Sequence, residues 1–233
     1  MITEREIKYL VPSTRLLVVK QQLAEVFGYD TEFPESRIYS LYFDSLDLRS
    51  YFEKVNGDYT KTKYRIRWYA NPLNNPLSDT FTVAQVKRSR GTRRVKQSIP
   101  IPSARDRFLS VEPDNPALAD MWYKFYEMDA NCPHGLIPTC TVSYQRNRFQ
   151  GPAGTSICLD TQIEASGYNP TLFLNPPDQQ LNVNVLELKG NFDSIPNLFD
   201  QVVQAGCVHT AFSKYSACIS MALNVSGAST YSS

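Results

Sequence analysis

The chain has 233 residues, 42% of them hydrophobic and 20% charged, the composition of a soluble globular protein with enough apolar material for one core. With 24 basic and 23 acidic residues the net charge is +1, which argues against a generally basic binder of nucleic acids or membrane surfaces but allows a local basic site. No segment is apolar for long enough to span a bilayer, and the charged residues 1–8 are unlike a signal peptide. We therefore expect a cytoplasmic protein, either free in the cytosol or held at the cytosolic face of a membrane by a membrane-protein partner.

The cysteines and histidines show no pattern of a disulfide framework or a zinc site. Five cysteines, an odd number without a C-x-x-C pair, indicate reduced, buried thiols in a reducing compartment. His134 and His209 are far apart in the sequence and have no second ligand beside them. A structural zinc site is therefore not expected.

Strand-like segments dominate the chain, and helical segments lie between them. Runs rich in β-branched and aromatic residues predict eight strands. In chain order these strands cover residues 4–11, 37–43, 61–69, 80–88, 93–99, 139–149, 155–163 and 182–189. Apolar spacing and helix-breaking residues predict five helices. These helices cover residues 13–27, 46–54, 115–128, 196–205 and 213–223.

This order of elements predicts a single α+β domain that is mainly β. Eight strands with short interruptions favour an eight-stranded antiparallel β-barrel, with helices packed outside it, over a parallel α/β sheet. No composition shift separates two domains, so we expect one domain over residues 1–225. Small residues fill segment 226–233, which is predicted to be a disordered tail.

Charged residues recur at alternate positions of the predicted strands, and alternate residues of a strand share one face. The charged positions are Glu6 and Lys8; Lys61, Lys63, Arg65 and Arg67; Lys87, two residues after Gln85; Arg94 and Lys96; Arg146 and Arg148; and Glu187 and Lys189. The opposite positions are apolar in several strands, as with Ile66 or Leu188. In any one strand this alternation is typical of a solvated face over an apolar barrel interior.

The recurrence on at least five strands favours a different arrangement, in which the charges line the barrel and the apolar faces pack on outside helices. Arginine and lysine dominate the charged faces, and a lumen full of unpaired cations needs an anion to neutralise it. Phosphates suit such a lumen, because arginine binds phosphate oxygens bidentately and lysine provides a point charge. Glu6 and Glu187 could add a hard divalent cation such as Mg²⁺ or Mn²⁺.

Several charged or aromatic residues keep two interpretations. Asp44 and Asp160 are either strand-end residues or lumen residues, and Lys61 and Lys63 are expected at the rim or in solvent. The arginines around Gly91 form either a solvated hairpin tip or a basic funnel that steers a polyanion to the barrel. These arginines are Arg88, Arg90, Arg93 and Arg94. The aromatic run 122–126 has helical spacing, which favours core packing or an interface over a base-stacking platform.

Seven short motifs, none of them specific alone, follow one another over residues 4–220. They are Glu6-Ile-Lys8, Ser40-Leu-Tyr42-Phe-Asp44, Lys63-Tyr-Arg65-Ile-Arg67, Tyr144-Gln-Arg146, Leu159-Asp160, Val185-Leu-Glu187-Leu-Lys189 and Phe212-Ser-Lys214-Tyr215. Their order and spacing resemble the VTC (vacuolar transporter chaperone) domain of polyphosphate polymerases, within the triphosphate tunnel metalloenzyme or CYTH-like superfamily. The resemblance implies an eight-stranded tunnel that takes ATP or another nucleoside triphosphate, and inorganic polyphosphate or triphosphate. The near-neutral net charge makes a specific nucleic-acid partner the least favoured alternative.

The resemblance also implies residue roles and an activity. The catalytic phosphate ligands would be Lys8, Arg65, Arg67, Lys87, Arg146, Lys189 and Lys214. Further substrate contacts would come from Lys96, Tyr42 and Ser213, to which we add Arg148 as a hypothesis of our own, and Glu187 with Glu6 would bind Mn²⁺ or Mg²⁺. The expected reaction transfers the γ-phosphoryl group of ATP to a growing polyphosphate chain. The alternatives are a tripolyphosphatase or nucleoside triphosphatase, and a polyphosphate-binding module without catalysis.

Two positions depart from the family pattern. Gln85 stands where many relatives carry a glutamate, which weakens any second metal site of the kind that hydrolytic relatives use to activate water. Ser156 stands where an arginine often provides a phosphate contact, and our hypothesis is that Arg148 replaces that arginine. The first departure favours transfer over hydrolysis.

Overall fold

The computed structural model describes residues 4–70, 82–91, 93–101, 116–152, 154–174, 176–204 and 206–228. The strands in these ranges are β1 (Arg5–Val11), β2 (Glu35–Asp44), β3 (Thr60–Ala70), β4 (Val83–Arg90), β5 (Arg93–Pro100), β6 (Ile137–Gln150), β7 (Thr155–Ser166), β8 (Gln179–Leu181), β9 (Asn184–Gly190) and β10 (Val208–Thr210). The α-helices are α1 (Leu16–Phe27), α2 (Arg49–Val55), α3 (Pro116–Met128), α4 (Asn197–Gln204) and α5 (Lys214–Ala228). None of these helices is both long and apolar enough to cross a membrane.

The strands form one antiparallel sheet that curls back on itself. Its order is β10-β1-β9-β7-β6-β2-β3-β4-β5, and β8 pairs with β7 off this path. Each neighbouring pair is antiparallel. The last strand returns to the first through an isolated bridge between Arg94 and Glu4. The curled sheet with helices around it confirms the predicted fold class, with eight long strands and two strands of three residues.

The convex face of the sheet is apolar and is covered by helices. On one side, β1, β7 and β9 pack against α1 and α4 in a core that includes Val19, Leu23 and Phe199. On the other side, β2, β3 and β4 pack against α3 around Ile66 and Phe125. Complete burial of such side chains contributes about 1.5–3 kcal/mol each, so these two cores stabilise the sheet from the outside. This arrangement agrees with the inverted polarity expected from the sequence, in which the charged faces of the strands point inward and the apolar faces pack on outside helices.

The fifth helix lies on the opposite, concave face. Tyr215, Cys218 and Ile219 of α5 pack against a cluster that includes Tyr42 and Tyr144. Tyr215 stacks on Tyr42 with ring centroids 4.7 Å apart, and its hydroxyl donates a hydrogen bond to buried Asp44 at 2.8 Å. The same Asp44 carboxylate accepts bonds from backbone amides at the start of α2. Asp44 is therefore a buried structural residue that joins α2 and α5 to the sheet.

The predicted elements are all present, with shifts of a few residues at their ends. The structure adds β8 and β10, which were not predicted. Helix α5 continues to Ala228, past the predicted start of the tail at residue 226. Some predicted positions lie outside the described ranges. They are residues 229–233 of that tail, the start of the strand predicted at 80–88, the first residue of the helix predicted at 115–128 and the last residue of the helix predicted at 196–205.

A close contact at the end of β9 requires glycine. Gly190 has φ +148°, and a Cβ atom there would lie 2.4 Å from the Gly154 carbonyl oxygen and 2.8 Å from the Thr155 Cα atom. We expect Gly190→Ala to lower the free energy of unfolding by about 3 kcal/mol, because backbone strain and overpacking act together. Urea denaturation monitored by circular dichroism measures this change.

The matched control is Gly57→Ala in the turn after α2. Gly57 also has a positive φ, +74°, but no atom lies within 4 Å of the added Cβ position. This variant should lose only about 1 kcal/mol, the cost of the left-handed conformation. Equal losses in both variants would contradict a steric role for Gly190.

Candidate functional site

A strongly basic cavity of about 490 Å³ lies on the concave face of the sheet. Among the described residues, twelve basic and two acidic side chains line it. The basic residues are Arg5, Lys8, Lys54, Lys61, Lys63, Arg65, Arg67, Lys87, Arg94, Arg146, Lys189 and Lys214, and the acidic residues are Glu6 and Glu187. A chain whose net charge is +1 thus concentrates its positive charge in one place, which favours an anionic ligand.

One wall of the cavity is formed by β3, and its arginines have neutral partners. Arg65 donates to the Gln85 Oε1 atom from Nε at 3.0 Å and from Nη2 at 2.8 Å. Arg67 donates to Ser40 Oγ at 3.0 Å and to the Tyr144 hydroxyl at 2.9 Å. Both arginines are buried. Because no carboxylate offsets them among the described ion pairs, their charge is available to a ligand.

The other wall is formed by β1 and β9, and there the cations share carboxylates. The Glu187 carboxylate lies 2.7 Å from Lys189 Nζ and 3.3 Å from Lys8 Nζ. It also lies 3.3 Å from Arg146 Nη2 and 3.2 Å from Lys214 Nζ. Burial alone would raise the pKa of Glu187, but these four cations hold the pKa well below its ordinary value. Glu187 is therefore ionised at neutral pH.

Glu6 is the second carboxylate of this wall. Its oxygens lie 2.9 Å from Lys8 Nζ, 2.7 Å from Lys87 Nζ and 3.4 Å from Arg94 Nη1. Burial acts to raise the pKa of Glu6, yet Lys8 and Lys87 lower it well below the ordinary value. The buried Oε1 atom accepts no aligned hydrogen bond despite these ion pairs. It therefore keeps acceptor capacity that a ligand could use.

The two glutamates fit a divalent cation that arrives together with phosphates. Lys8 Nζ lies within 3.3 Å of an oxygen of each glutamate, so both carboxylates already converge on one positive charge. Within the described ranges no group of three or more His, Cys, Asp or Glu residues could hold a metal alone. Mg²⁺ is commonly held by one or two carboxylates plus substrate phosphates, which is the ligand set that Glu6 and Glu187 would complete.

Asp160 anchors two of the cavity's cations from behind. It is fully buried and accepts hydrogen bonds from Arg146 Nε at 2.6 Å and Nη2 at 2.7 Å. It also accepts a bond from Lys214 Nζ at 2.6 Å. Burial would raise the pKa of Asp160, but Arg146 and Lys214 lower it below its ordinary value. Of its two interpretations from the sequence, a buried role beside the lumen is the one observed.

The beginning of α5 points its polar groups at the cavity. Lys214, the first residue of the helix, and Ser213 before it both line the cavity. The Ser213 carbonyl oxygen accepts the first helical hydrogen bond from Ala217 at 3.0 Å. A helix N-terminus carries partial positive charge and free amides, which adds to the attraction for an anion.

Lys63 is the basic residue of the β3 wall whose pKa is lowered furthest from its ordinary value. Burial, then the nearby charges of Lys8, Lys54 and Arg65, lower the pKa of Lys63 to about 7. Its ammonium lies 5.5 Å from the Tyr215 ring centroid and donates to Ser213 Oγ. A bound polyanion would favour the charged form of this group.

The structure brings most of the predicted site residues to one cavity. Those that line it are Glu6, Lys8, Tyr42, Arg65, Arg67, Lys87, Arg146, Glu187, Lys189, Ser213 and Lys214. Two predicted ligands are not among the lining residues. Lys96 is exposed, and its backbone lies opposite that of Lys87 in the β4–β5 ladder. The Arg148 guanidinium lies over the Phe33 ring, 5.9 Å from its centroid. The hypothesis that Arg148 replaces an arginine at position 156 needs this side chain to reach the cavity, and its position over Phe33 gives that hypothesis no support.

Sequence reasoning did not assign several cavity residues. Lys61 and Lys63 were expected at the rim or in solvent, and both line the cavity. Arg94 lines it too and pairs with Glu6, whereas Arg88 pairs with Asp129 outside the barrel. Three further lining residues, Arg5, Lys54 and His209, belong to none of the sequence patterns that predicted the cavity. The continuous alternation from Lys61 to Arg67 could have identified the two lysines.

Comparison with known proteins gives a family match and a fold match. The family model described as the VTC domain matches residues 3–223. A protein from Pyrococcus horikoshii OT3 has a similar structure, with TM-score 0.53 and 12% identity over 94% of this chain and 99% of that chain. An adenylyl cyclase candidate from Hippeastrum with a dominant triphosphatase activity gives TM-score 0.56 and 14% identity, over 94% and 96%. At 12% and 14% identity, these matches show a shared fold and nothing further about this chain. No curated protein matches the chain.

The role of Asp160 can be tested with Asp160→Asn. Removing one partner of a buried ion pair leaves the other charges uncompensated, so we expect a loss of about 3 kcal/mol in unfolding free energy at pH 7. The pKa of Asp160 is lower in the folded state than in the unfolded state. Its contribution to the free energy of unfolding is therefore complete above the pKa of an unfolded aspartate, and it is lost as the pH falls through the lowered pKa of the folded state. The difference between variant and wild type should therefore shrink below about pH 4.

Denaturant unfolding at several pH values measures this difference. Asp178→Asn, at an exposed aspartate after the β7 segment, is the control and should match wild type throughout. A deficit in Asp160→Asn that is the same at pH 7 and pH 3 would contradict an electrostatic role.

The lowered pKa of Lys63 predicts proton uptake on anion binding. At pH 8 most Lys63 side chains are neutral, and binding of inorganic tripolyphosphate should raise the pKa and protonate them. Calorimetry in buffers of different ionisation enthalpy measures the number of protons taken up on binding. This number should be larger for wild type than for Lys63→Met, by up to about one proton per binding event. Lys124→Met on the outer helix α3 should behave as wild type, and equal uptake by Lys63→Met and wild type would refute this expectation.

Proposed function

The chain belongs to the VTC-domain family, and on this premise we propose that it is a polyphosphate polymerase. The proposed reaction transfers the γ-phosphoryl group of ATP to the end of an inorganic polyphosphate chain in the basic cavity. An oxygen of the terminal phosphate attacks the γ-phosphorus, the bond from that phosphorus to the β-γ bridging oxygen breaks, and ADP leaves. Phosphoryl transfer of this kind needs positioning and charge neutralisation more than covalent chemistry from the protein.

The observation that carries the proposal is the contrast between the two walls of the cavity. Arg65 and Arg67 on β3 have neutral partners, so their full charge can bind phosphate oxygens. Across the cavity, Glu187 holds four cations in fixed positions around one carboxylate. A phosphate chain between the walls would meet preorganised cations on both sides, which is the main source of rate enhancement in such reactions.

A divalent cation, Mg²⁺ or Mn²⁺, is part of the proposal. Glu6 and Glu187 would hold it, and it would supply Lewis-acid polarisation of the transferred phosphoryl group and neutralise part of the phosphate charge. The Lys8 ammonium, which now lies between the two carboxylates, would then turn to the phosphates. All other steps depend on the basic side chains that bind and orient the two substrates.

Gln85 supports transfer rather than hydrolysis. The amide lies at the position where the family resemblance implies a glutamate in many relatives, and its Oε1 atom is occupied by two hydrogen bonds from Arg65. Its amide nitrogen lies 3.2 Å from Ser98 Oγ. An amide provides no carboxylate for a second metal ion, so the means by which hydrolytic relatives activate water is missing at this position.

The direct test is product analysis with ATP and Mg²⁺ or Mn²⁺. We expect long polyphosphate chains on a stained gel, with ADP released and little free phosphate. Glu187→Gln and Arg146→Ala should lower the rate at least about 100-fold, because Arg146 would neutralise charge on the transferred phosphoryl group and Glu187 would hold the metal ion and four of the cations in place. Circular dichroism of each variant checks that it is folded.

Arg148→Ala is the matched control for Arg146→Ala. Both arginines are on β6, two residues apart, but only Arg146 lines the cavity. Arg148→Ala should keep activity close to that of wild type. Free phosphate equal to ADP without chains would assign the protein to the triphosphatases, and tight tripolyphosphate binding without turnover would make it a binding module.

A further inference from the structure

An exposed aromatic ring lies against Gly91, a residue that lines the cavity. Tyr59, the residue before β3, keeps 66% of its surface exposed. Its carbonyl oxygen accepts a hydrogen bond from the Gly91 amide at 2.9 Å, which fixes its backbone to the β4–β5 turn. The guanidinium carbon of Arg90 lies 5.8 Å from the centroid of the ring.

The position of the ring is defined by the glycine of that turn. Gly91 lines the cavity, and its φ of +58° is one that glycine adopts readily. A Cβ atom at this position would lie 2.9 Å from Tyr59 Cε2. The edge of the Tyr59 ring therefore rests on the backbone of a cavity residue, with a second cavity residue, Lys61, two positions along the chain.

The other tyrosines of the cavity have no free ring face to offer. Tyr42 is buried, stacks on Tyr215 and contacts Arg65 through its hydroxyl. Tyr144 is buried and accepts a hydrogen bond from Arg67. In the part of the chain that the structure describes, Tyr59 is thus the tyrosine at this cavity with an exposed ring.

We propose that Tyr59 and Arg90 form a stacking subsite for the base of a nucleoside triphosphate whose phosphates lie in the cavity. This inference rests on the proposed function and specifies its donor. A planar base stacks on an aromatic ring and on a guanidinium group, while its phosphates are attracted to the basic side chains inside. Inorganic polyphosphate has the charge but no base, so the subsite selects a nucleotide as donor and leaves the chain as acceptor.

The test compares binding of ATP and of inorganic tripolyphosphate to the full chain by calorimetry. Tyr59→Ala should weaken ATP binding about ten-fold, the effect of one lost stacking contact, and should leave tripolyphosphate binding unchanged. Tyr59→Trp should restore ATP affinity, because its larger ring also stacks. Tyr123→Ala removes a tyrosine of similar exposure, 64%, on the outer helix α3, and should change neither ligand.

Two outcomes would overturn the subsite. One is unchanged ATP binding in Tyr59→Ala, and the other is an equal loss for both ligands, which would mean that Tyr59 acts on the phosphates or on the fold. Either result is compatible with polymerase activity, provided that wild type binds tripolyphosphate and makes chains. Failure of wild type to bind either ligand would instead reject the proposed function together with the subsite.

Discussion

Four cations from β1, β6, β9 and α5 share the buried carboxylate of Glu187, and the arrangement of the cavity depends on this contact. Buried charge is tolerated where it is paired and hydrogen-bonded, and Glu187, Glu6 and Asp160 provide that pairing on one side of the barrel. The cations of β3 are held by neutral oxygens instead. The paired side of the cavity lowers the electrostatic cost of burying these charges, and the β3 side leaves a large excess of positive charge for a ligand.

The inverted polarity of the sheet links this cavity to the outer helices. Because the concave face carries the charges, the apolar residues of the same strands face outward and need another surface to cover them. Helices α1 and α4 cover β1, β7 and β9, and α3 covers β2, β3 and β4. Helix α5 instead packs on the concave face, where it places Lys214 next to Glu187 and Asp160.

The sequence predicts the strands, the polarity of the sheet and most of the cavity, because each rests on a local pattern. Alternation identifies the face of a strand but not the position along the barrel axis, so Arg146 and Arg148 looked equivalent although one contacts Asp160 and the other lies over Phe33. Lys54 reaches the cavity from helix α2, where no strand pattern could reveal it. Strands β8 and β10 have three residues each, too few to show an alternation, and each is defined by its pairing with another strand, β8 with β7 and β10 with β1.

The place of β1 in the sheet has a consequence for how the protein folds during synthesis. This strand pairs with β9 and β10, whose residues follow it by more than 170 positions, so its partners are synthesised long after it. Pairings of such long sequence separation form slowly. Until they form, Glu6 and Lys8 remain hydrated and apart from Glu187, and the incomplete sheet exposes a strand edge that is prone to misassociation. Polyanions in the surrounding solution would ease the final closure, since they lower the repulsion among the cations that it brings together.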